Sequence, residues 1–528
     1  MTMKYKVLIT TSGIGQRLGE LTKYTNKALI RVGKKPAISY VIESYPADMS
    51  FVVTVGYFAD HVREFLSLAY PDRNIEYVEV DNYVGPGSSL GYSMLQAKDA
   101  LQCPFVYHAS DTIITEEVPA PTENWIGVYK GDDTSQYASW QVLGGKKLLF
   151  NDKGAIDFDY IHIGLVGIYD YQNFWKTLEQ LYKTDPNDQT LNDCRVLVSM
   201  LSGGTSFELK PFVKWYDIGN TVALHRTRTE IKDHFDNLDK MEESIFLFKD
   251  FVIKFFHDAQ IVKERAARAK LLGALVPEIE GVTKNFYRYK YSSGSLYSDV
   301  ATPVDFVNFL AWAKKNLWQK VREVSDEEFA KICRDFYLTK TKKRVQQFLD
   351  ANNLKDEEHV INGERVPALA DMLEKIDFDW LASSEQYQFH GDFILDNILK
   401  TDDGYRLIDW RHNFGGLLKA GDIYYDLAKL NHNLTVNHEM VNKNLFTVKL
   451  ENGNHVECDI LRKDNLVECQ KVLFDFVHKE GYDAKKIRML SGLIWLNMAP
   501  LHHHPFNLFL YYFGKLHLWR TINEAKPK

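Results

Sequence analysis

The sequence predicts an α/β protein of two consecutive domains: a sheet domain with helices on both faces, then a two-lobed α+β domain. Three observations carry the prediction. From Tyr5 to Gly219 short β-rich runs alternate with amphipathic stretches, the pattern of a mostly parallel sheet. Between Asn220 and Lys249 the chain turns charged, with neither Gly nor Pro, which reads as a helical connector and not a floppy linker. After it, a short strand-bearing segment precedes a long helical remainder. The length of 528 residues fits this division, because single cores seldom grow past about 250–300 residues. The expected domains are 1–228 and 229–528, the second with a small lobe over about 235–300 and a helical lobe over about 301–528.

In order, Lys6–Thr10, Phe51–Gly56, Ile75–Val80 and Phe105–His108 read as strands, with amphipathic stretches at Ile38–Ser44, Ala59–Leu68 and Ser88–Ala100 between them. Trp125–Tyr129, Ser139–Leu143 and Ile161–Ile168 read as later strands of the same sheet or of a small attached one. In the second domain a strand pair is expected around Ile245–Phe256 and a helix over Gln260–Leu275, before a helical remainder broken by a motif block at Tyr387–Asp409. The charge runs Lys314–Lys331 and Lys340–Arg344 are expected to cover solvated helix faces and to carry no functional weight. The apolar stretch Leu490–Leu518 is interrupted by Asn497, Pro500, His502 to His504 and Lys515, so it reads as buried helices and not as a membrane span.

Composition excludes several classes of function. A net charge of −7 leaves no global basic field for nucleic acid. The five cysteines are scattered without a C-x-x-C pair, which fits a reducing cytoplasm. No signal-peptide pattern opens the chain. The expected partners are small molecules, with no nucleic acid and no membrane insertion, and a homo-oligomer is compatible with the sequence.

Directly after the first strand stands TTSGIGQRLGELT, then NKALIRVGKKPAI. Ser12, Gly13 and Gly15 form a loop that can bring backbone N–H groups to a triphosphate, and Arg17 and Lys27 supply positive charge. A dinucleotide fold would want a third glycine where Leu18 stands. This segment resembles the opening motif of the sugar-nucleotide pyrophosphorylase family, which includes phosphocholine cytidylyltransferase-like enzymes, with Asn26 in place of the usual proline before the lysine. The resemblance implies a Rossmann-like, GT-A-like nucleotidyltransferase domain and Mg²⁺ held by two carboxylates. Asp111, after Phe105–Ser110, and Asp217, in W-Y-D-I-G, occupy the matching places. It also implies that Gly85, Gly87 and Ser88 read the nucleotide base, and Lys153 is an acceptor-binding candidate. Read singly, each aspartate would sooner be a cap; found together and in order after the glycine loop, they favour the metal reading.

The second block, HGDFILDNILK followed by YRLIDW, resembles the aminoglycoside phosphotransferase and choline kinase family. The resemblance implies a protein-kinase-like fold with Asp392 as catalytic base and Asn397 and Asp409 as Mg²⁺ ligands. It further implies Lys254 on ATP phosphates, Glu264 as its ion-pair partner, and Asn237–Ser244 as the phosphate loop. Asp422 and Asp426 would brace the catalytic loop, His390 would anchor it, and Asp396 would be an exposed turn residue. Trp495 and His502 are acceptor-binding candidates in the late helices.

Together the resemblances imply two steps, phosphorylation of a small alcohol such as choline, ethanolamine or a polyol by ATP, then nucleotidyl transfer, with CTP favoured, for glycan or lipid decoration. A sugar kinase joined to a sugar-1-phosphate nucleotidyltransferase is the alternative enzyme. A binding or regulatory protein with one dead half is the non-enzyme alternative.

Overall fold

The computed structural model describes residues 4–144, 147–231, 241–451 and 454–524. The chain divides into two compact units, Met1–Val262 with Glu280–Tyr289, and Lys263–Ile279 with Lys290–Lys528.

The first unit is built on β1 (Lys6–Thr10), β2 (Ser50–Val55), β3 (Asn74–Glu79) and β4 (Phe105–Ala109), parallel neighbours in the order β3-β2-β1-β4. Val7, Leu8 and Ile9 are wholly buried, so β1 carries apolar side chains on both faces, as a strand covered on both sides must. Past β4 the pairing changes. After β5 (Thr112–Ile114) come β6 (Trp125–Tyr129), β7 (Ser139–Leu143), β8 (Lys147–Asn151), β9 (Tyr160–Ile168) and β10 (Glu208–Phe212). Strand β9 runs antiparallel to β4, β6 and β7, and β7 antiparallel to β8. The sheet is therefore mixed, all-parallel from β3 to β4 and mainly antiparallel beyond. Strands β7 and β8 are too close in sequence for the crossover that a parallel pair needs. The later strands belong to the main sheet, with β10 parallel to β6.

Helices α1 (Ala37–Glu43) and α2 (Ala59–Ala69) cover one face, and α3 (Leu90–Gln96), α4 (Tyr171–Thr184) and α5 (Asp193–Ser202) the other. In α2, Val62, Phe65, Leu66 and Ala69 are buried, the i, i+3, i+4, i+7 stripe of an amphipathic helix. Strand β11 (Trp215–Asp217) pairs antiparallel with β5 and leads into α6 (Thr221–Glu230).

Helix α6 forms the described start of the expected connector. Residues 232–240, which include Asn237–Lys240 of the expected phosphate loop, lie outside the described residues. The chain resumes as strand: β12 (Glu243–Leu247), β13 (Phe251–Phe256), β14 (Ile279–Val282) and β15 (Phe286–Lys290) form a sheet in the order β12-β13-β15-β14. Phe246, Phe248, Phe255 and Phe286 share one apolar cluster with Val62, Phe65 and Leu66 of α2. The Phe65 and Phe246 ring centroids lie 5.3 Å apart. The compact units thus do not divide at residue 228, because these phenylalanines pack on α2.

The second unit is mainly helical. It takes α7 (Ala259–Leu272) from Lys263 onward, followed by α8 (Pro303–Asn316), α9 (Lys340–Asn352), the hairpin β16 (Ile398–Thr401) and β17 (Gly404–Leu407), α10 (Ile423–Thr435), α11 (Asp464–Lys479), α12 (Ala484–Met498) and α13 (Phe506–Asn523). Helix α12 packs on α10 and α13, burying Leu490, Leu493, Leu496, Phe509 and Leu516. The apolar late stretch is thus core. Among the described residues no helix is long and apolar enough to cross a membrane.

Candidate active sites

In the first unit the loop after β1 borders a cleft of about 690 Å³. Ser12, Gly13, Gly15, Arg17, Lys27, Gly85, Ser88, Asp111, Lys153 and Asp217 all line it. Gly15 sits at φ +69°, and a Cβ there would lie 3.0 Å from Thr22 and 3.1 Å from Lys27, so only glycine fits without strain. Gly87 does not line the cleft. It serves the loop itself, at φ +81° with Asn82 and Pro186 where a side chain would start.

Asn26 fixes Lys27. Its buried amide donates to the carbonyls of Thr11 (2.8 Å) and Tyr57 (2.6 Å) and accepts from the N–H of Ala28 (2.9 Å). Lys27 Nζ then lies 3.1 Å from Asp111 Oδ2. Sheet register supplies the second carboxylate, because Asp217 stands opposite Thr112, the residue after Asp111. Asp217 accepts hydrogen bonds from the N–H of Gly219 (2.8 Å) and the hydroxyl of Tyr137 (2.9 Å). At Gly219 an added Cβ would lie 3.1 Å from Asp217 Oδ1, 3.2 Å from Arg17 and 3.4 Å from Asp111 Oδ2. Three charged groups therefore converge on one glycine.

Electrostatics separates the two acids. Burial pushes Asp111 upward, but Lys27 and Arg17 outweigh it and hold the carboxyl below the usual range. Burial and then the charge of Asp111 push Asp217 above it. Hard oxygen donors converging at this spacing fit a magnesium ion.

Deeper in the cleft, Trp140 donates to Nδ1 of His162 (3.2 Å), and Nε2 of His162 lies 2.8 Å from Asp193. The tryptophan N–H requires a bare Nδ1, so the ring proton sits on Nε2 and is given to the carboxylate. His162, Asp193 and Cys194 offer ligand atoms within 4.8 Å of one another. A metal on Nε2 would move the proton to Nδ1, against the donor of Trp140, so this trio does not suit one. Tyr137 and the His162–Asp193 pair escaped the sequence reading, since no local motif marks them.

In the second unit the hairpin brings Asn397 and Asp409 to one end. Ile398 pairs with Leu407, and the N–H of Ile408 donates to the carbonyl of Asn397 (2.9 Å). The Asn397 amide donates to the main-chain carbonyl of Asp392 (2.9 Å) and to its Oδ2 (3.1 Å). Asp409 sits at φ +56°, a strained conformation of the kind concentrated at functional sites, and Arg265 pairs with its carboxylate. The amide oxygen of Asn397 and the carboxylate of Asp409 are donors of the type magnesium takes.

The loop is braced from beneath. Asp426 accepts from the N–H groups of His390 (2.8 Å) and Gly391 (2.7 Å) and from Trp318 (3.2 Å). Asp422 accepts from Tyr337 (2.6 Å) and Ser384 (2.7 Å). His390 bonds the carbonyl of Ile408 through Nε2 (2.9 Å) and receives the N–H of Asp392 on Nδ1 (3.2 Å). Buried Arg268 donates to the carbonyls of Phe389, His390, Arg411 and Leu418. Asp396 is not an exposed turn residue. It accepts from Asn433 (2.9 Å) and pairs with His438 (3.2 Å), because the end of the loop lies against α10, where Leu395 also donates to Asn433.

Lys254 is buried in β13 of the first unit. Glu264, in the second, accepts a hydrogen bond from Asn413 (2.6 Å). Trp495 is core, 2% exposed and packed on Phe513 and His517. His502 packs on Phe506. Neither lines the cavity beside Asp392, whose α12 wall is made by Leu490, Leu493, Ile494, Asn497 and Met498. The residues that line it and that sequence reasoning missed are cations: Lys340, Arg344, Arg411 and Lys429. Lys340 and Arg344 belong to a charge run expected to be solvated. Each is partly buried, because the helix face that carries them turns inward.

No protein-family model matches the chain. Over 139 residues, 25% of this chain, it is 27% identical to the choline-phosphate cytidylyltransferase of Streptococcus pneumoniae, and the match spans 57% of that relative. Among solved structures it is similar to the CTP:phosphocholine cytidylyltransferase from Streptococcus pneumoniae, with 17% identity over 44% of this chain and 100% of that one, at a TM-score of 0.37. It is also similar to the inositol-1-phosphate CTP transferase from T. maritima, with 15% identity over 45% of this chain and 99% of that one, at a TM-score of 0.36.

Proposed function

We propose that the first unit transfers a nucleotidyl group from a nucleoside triphosphate, with CTP favoured, to a phosphorylated small molecule, releasing pyrophosphate. The observation that carries this reading is the convergence of Arg17, Asp111 and Asp217 at Gly219, beside a glycine loop in one cleft. The loop offers N–H groups to the triphosphate, and Lys27 and Arg17 meet charge gathering at the α-phosphate. Magnesium, held by Asp111 and Asp217, would supply Lewis acidity at that phosphate. The similarity to cytidylyltransferases supports the choice of CTP.

The second unit, on this reading, phosphorylates the small alcohol that the first then activates. Asp392, tied to Asn397 and paired with Lys429 of the cavity wall, would take the proton of an acceptor hydroxyl. Asn397 and Asp409 would hold magnesium. The product would serve decoration of a glycan or lipid.

The test is pyrophosphate release by the full chain with Mg²⁺, each of CTP, UTP, GTP and dTTP, and a panel of phosphorylated alcohols and sugar 1-phosphates. One nucleotide should give release, and Asp217→Asn should abolish it. Release that survives Asp217→Asn would overturn the assignment of this site.

A further inference from the structure

The cavity beside Asp392 has a volume of about 150 Å³, room for a small molecule only. One wall is apolar, from α12. Facing it are Lys340 and Arg344, one helical turn apart on α9, together with Arg411 and Lys429. None of the residues lining the cavity is acidic. Lys429 is spoken for, with Nζ 2.7 Å from Asp392 Oδ1. Arg411 spends its Nε on the carbonyl of Asn413 (2.9 Å). Among the described residues no carboxylate pairs with Lys340, Arg344 or Arg411. Their company is aromatic: Lys340 lies 4.1 Å and Arg411 5.1 Å from the centre of the Phe336 ring. The same wall holds an open acceptor. Asn497 donates to Thr341 (2.6 Å) and Leu493 (2.7 Å), while its buried Oδ1 has no hydrogen-bond partner.

We propose that this cavity binds the acceptor of the second unit as an anion, a small hydroxy compound bearing a carboxylate or phosphate. The inference rests on the reading of this unit as a kinase. The anionic group sits among Lys340, Arg344 and Arg411, where guanidinium forks match the geometry of carboxylate and phosphate oxygens. A second donor on the acceptor satisfies Asn497 Oδ1. The reacting hydroxyl is presented to Asp392 past Lys429, which lines the cavity and pairs with that carboxylate. Its oxygen bonds to the γ-phosphorus of a nucleoside triphosphate, the bond from that phosphorus to the bridging oxygen breaks, the nucleoside diphosphate leaves, and the hydroxyl proton passes to Asp392. The same charges repel a quaternary ammonium or an ethanolamine, so the cavity selects against the cationic alcohols that the family resemblance brought forward.

The state of Lys340 agrees with an unbalanced site. Burial, then Arg411, Arg344 and Lys429, push its ammonium down to about 6, and an incoming anion would reverse the like-charge part of that shift.

The test uses the full chain with Mg²⁺ and ATP, ADP release as readout, and five acceptors: D-glycerate, glycerol 3-phosphate, glycerol, ethanolamine and choline. An anionic acceptor should be turned over preferentially, and Arg344→Ala should raise its KM about tenfold or more, with kcat within about threefold. Preference for choline, ethanolamine or glycerol would overturn the anion assignment while leaving the kinase reading intact. ADP release with none of the five would count against the kinase reading. Calorimetric titration of D-glycerate and of inorganic phosphate then decides the cavity: binding that weakens in both Lys340→Ala and Arg344→Ala supports it, and no binding of either anion overturns it.

Discussion

The ammonium of Lys429 lies 2.7 Å from Oδ1 of Asp392, with the lysine buried and the aspartate side chain partly exposed. Burial drives the acid upward, yet Lys429 holds it down at about 2. Removing one partner strands a charge. Lys429→Met should cost about 1–3 kcal/mol, less than a fully buried pair because Asp392 is partly solvated. The double variant Lys429→Met with Asp392→Asn should be more stable than the two single losses summed, since the stranded charge is gone. Urea unfolding of the four proteins checks this, and strict additivity would show that the pair is not coupled.

Asn26 replaces three main-chain contacts' worth of loop structure with one side chain, so its loss should be felt at Lys27. Asn26→Ala leaves the carbonyls of Thr11 and Tyr57 unpaired and should cost about 2–4 kcal/mol. Proline is the more informative change. At φ −73° and ψ 145° the backbone of Asn26 already has the shape that proline imposes. Asn26→Pro should therefore retain more nucleotidyl transfer than Asn26→Ala, measured as pyrophosphate release at equal folded concentration.

His61 makes the first unit acid-sensitive. Buried against Phe58, Phe255 and Phe286, it is pushed down from 6.5 to about 4, by burial first and then by His257. Its folded value lies below its unfolded one, so its contribution is complete above about pH 6.5 and is lost as pH falls toward 4. Between pH 7 and pH 5 the loss should be about 1–2 kcal/mol. His61→Phe should flatten that part of the pH dependence in thermal melts. His108, held near 4 for the same reason, keeps a residual slope in the variant.

What could be read from the sequence follows from how local each signal is. Strand β1 announces itself because Val7, Leu8 and Ile9 are consecutive and apolar. The glycine loop and Asp217 lie in short contiguous motifs, and it is the family resemblance those motifs carry that named them together. The cavity cations were illegible for the opposite reason. Lys340 and Arg344 look like any solvated i, i+4 pair, and what turns their face inward is α12 together with Arg411, far along the chain. Strands β12 and β13 were legible as strands. That they pack on α2 was not, since a run such as FVIKFF states that it will be buried and not against what.

The first unit is also discontinuous in the chain: it takes residues up to Val262, releases the chain through Lys263–Ile279, and takes it back for Glu280–Tyr289. No single cut in the gene separates the two units. A fragment ending at residue 228 would leave Phe65 and its neighbours on α2 without their cover of phenylalanines and should associate or precipitate. The ribosome meets the same constraint, because the first unit lacks its last strand until residue 289 has been made, by which time α7 of the second has been synthesised.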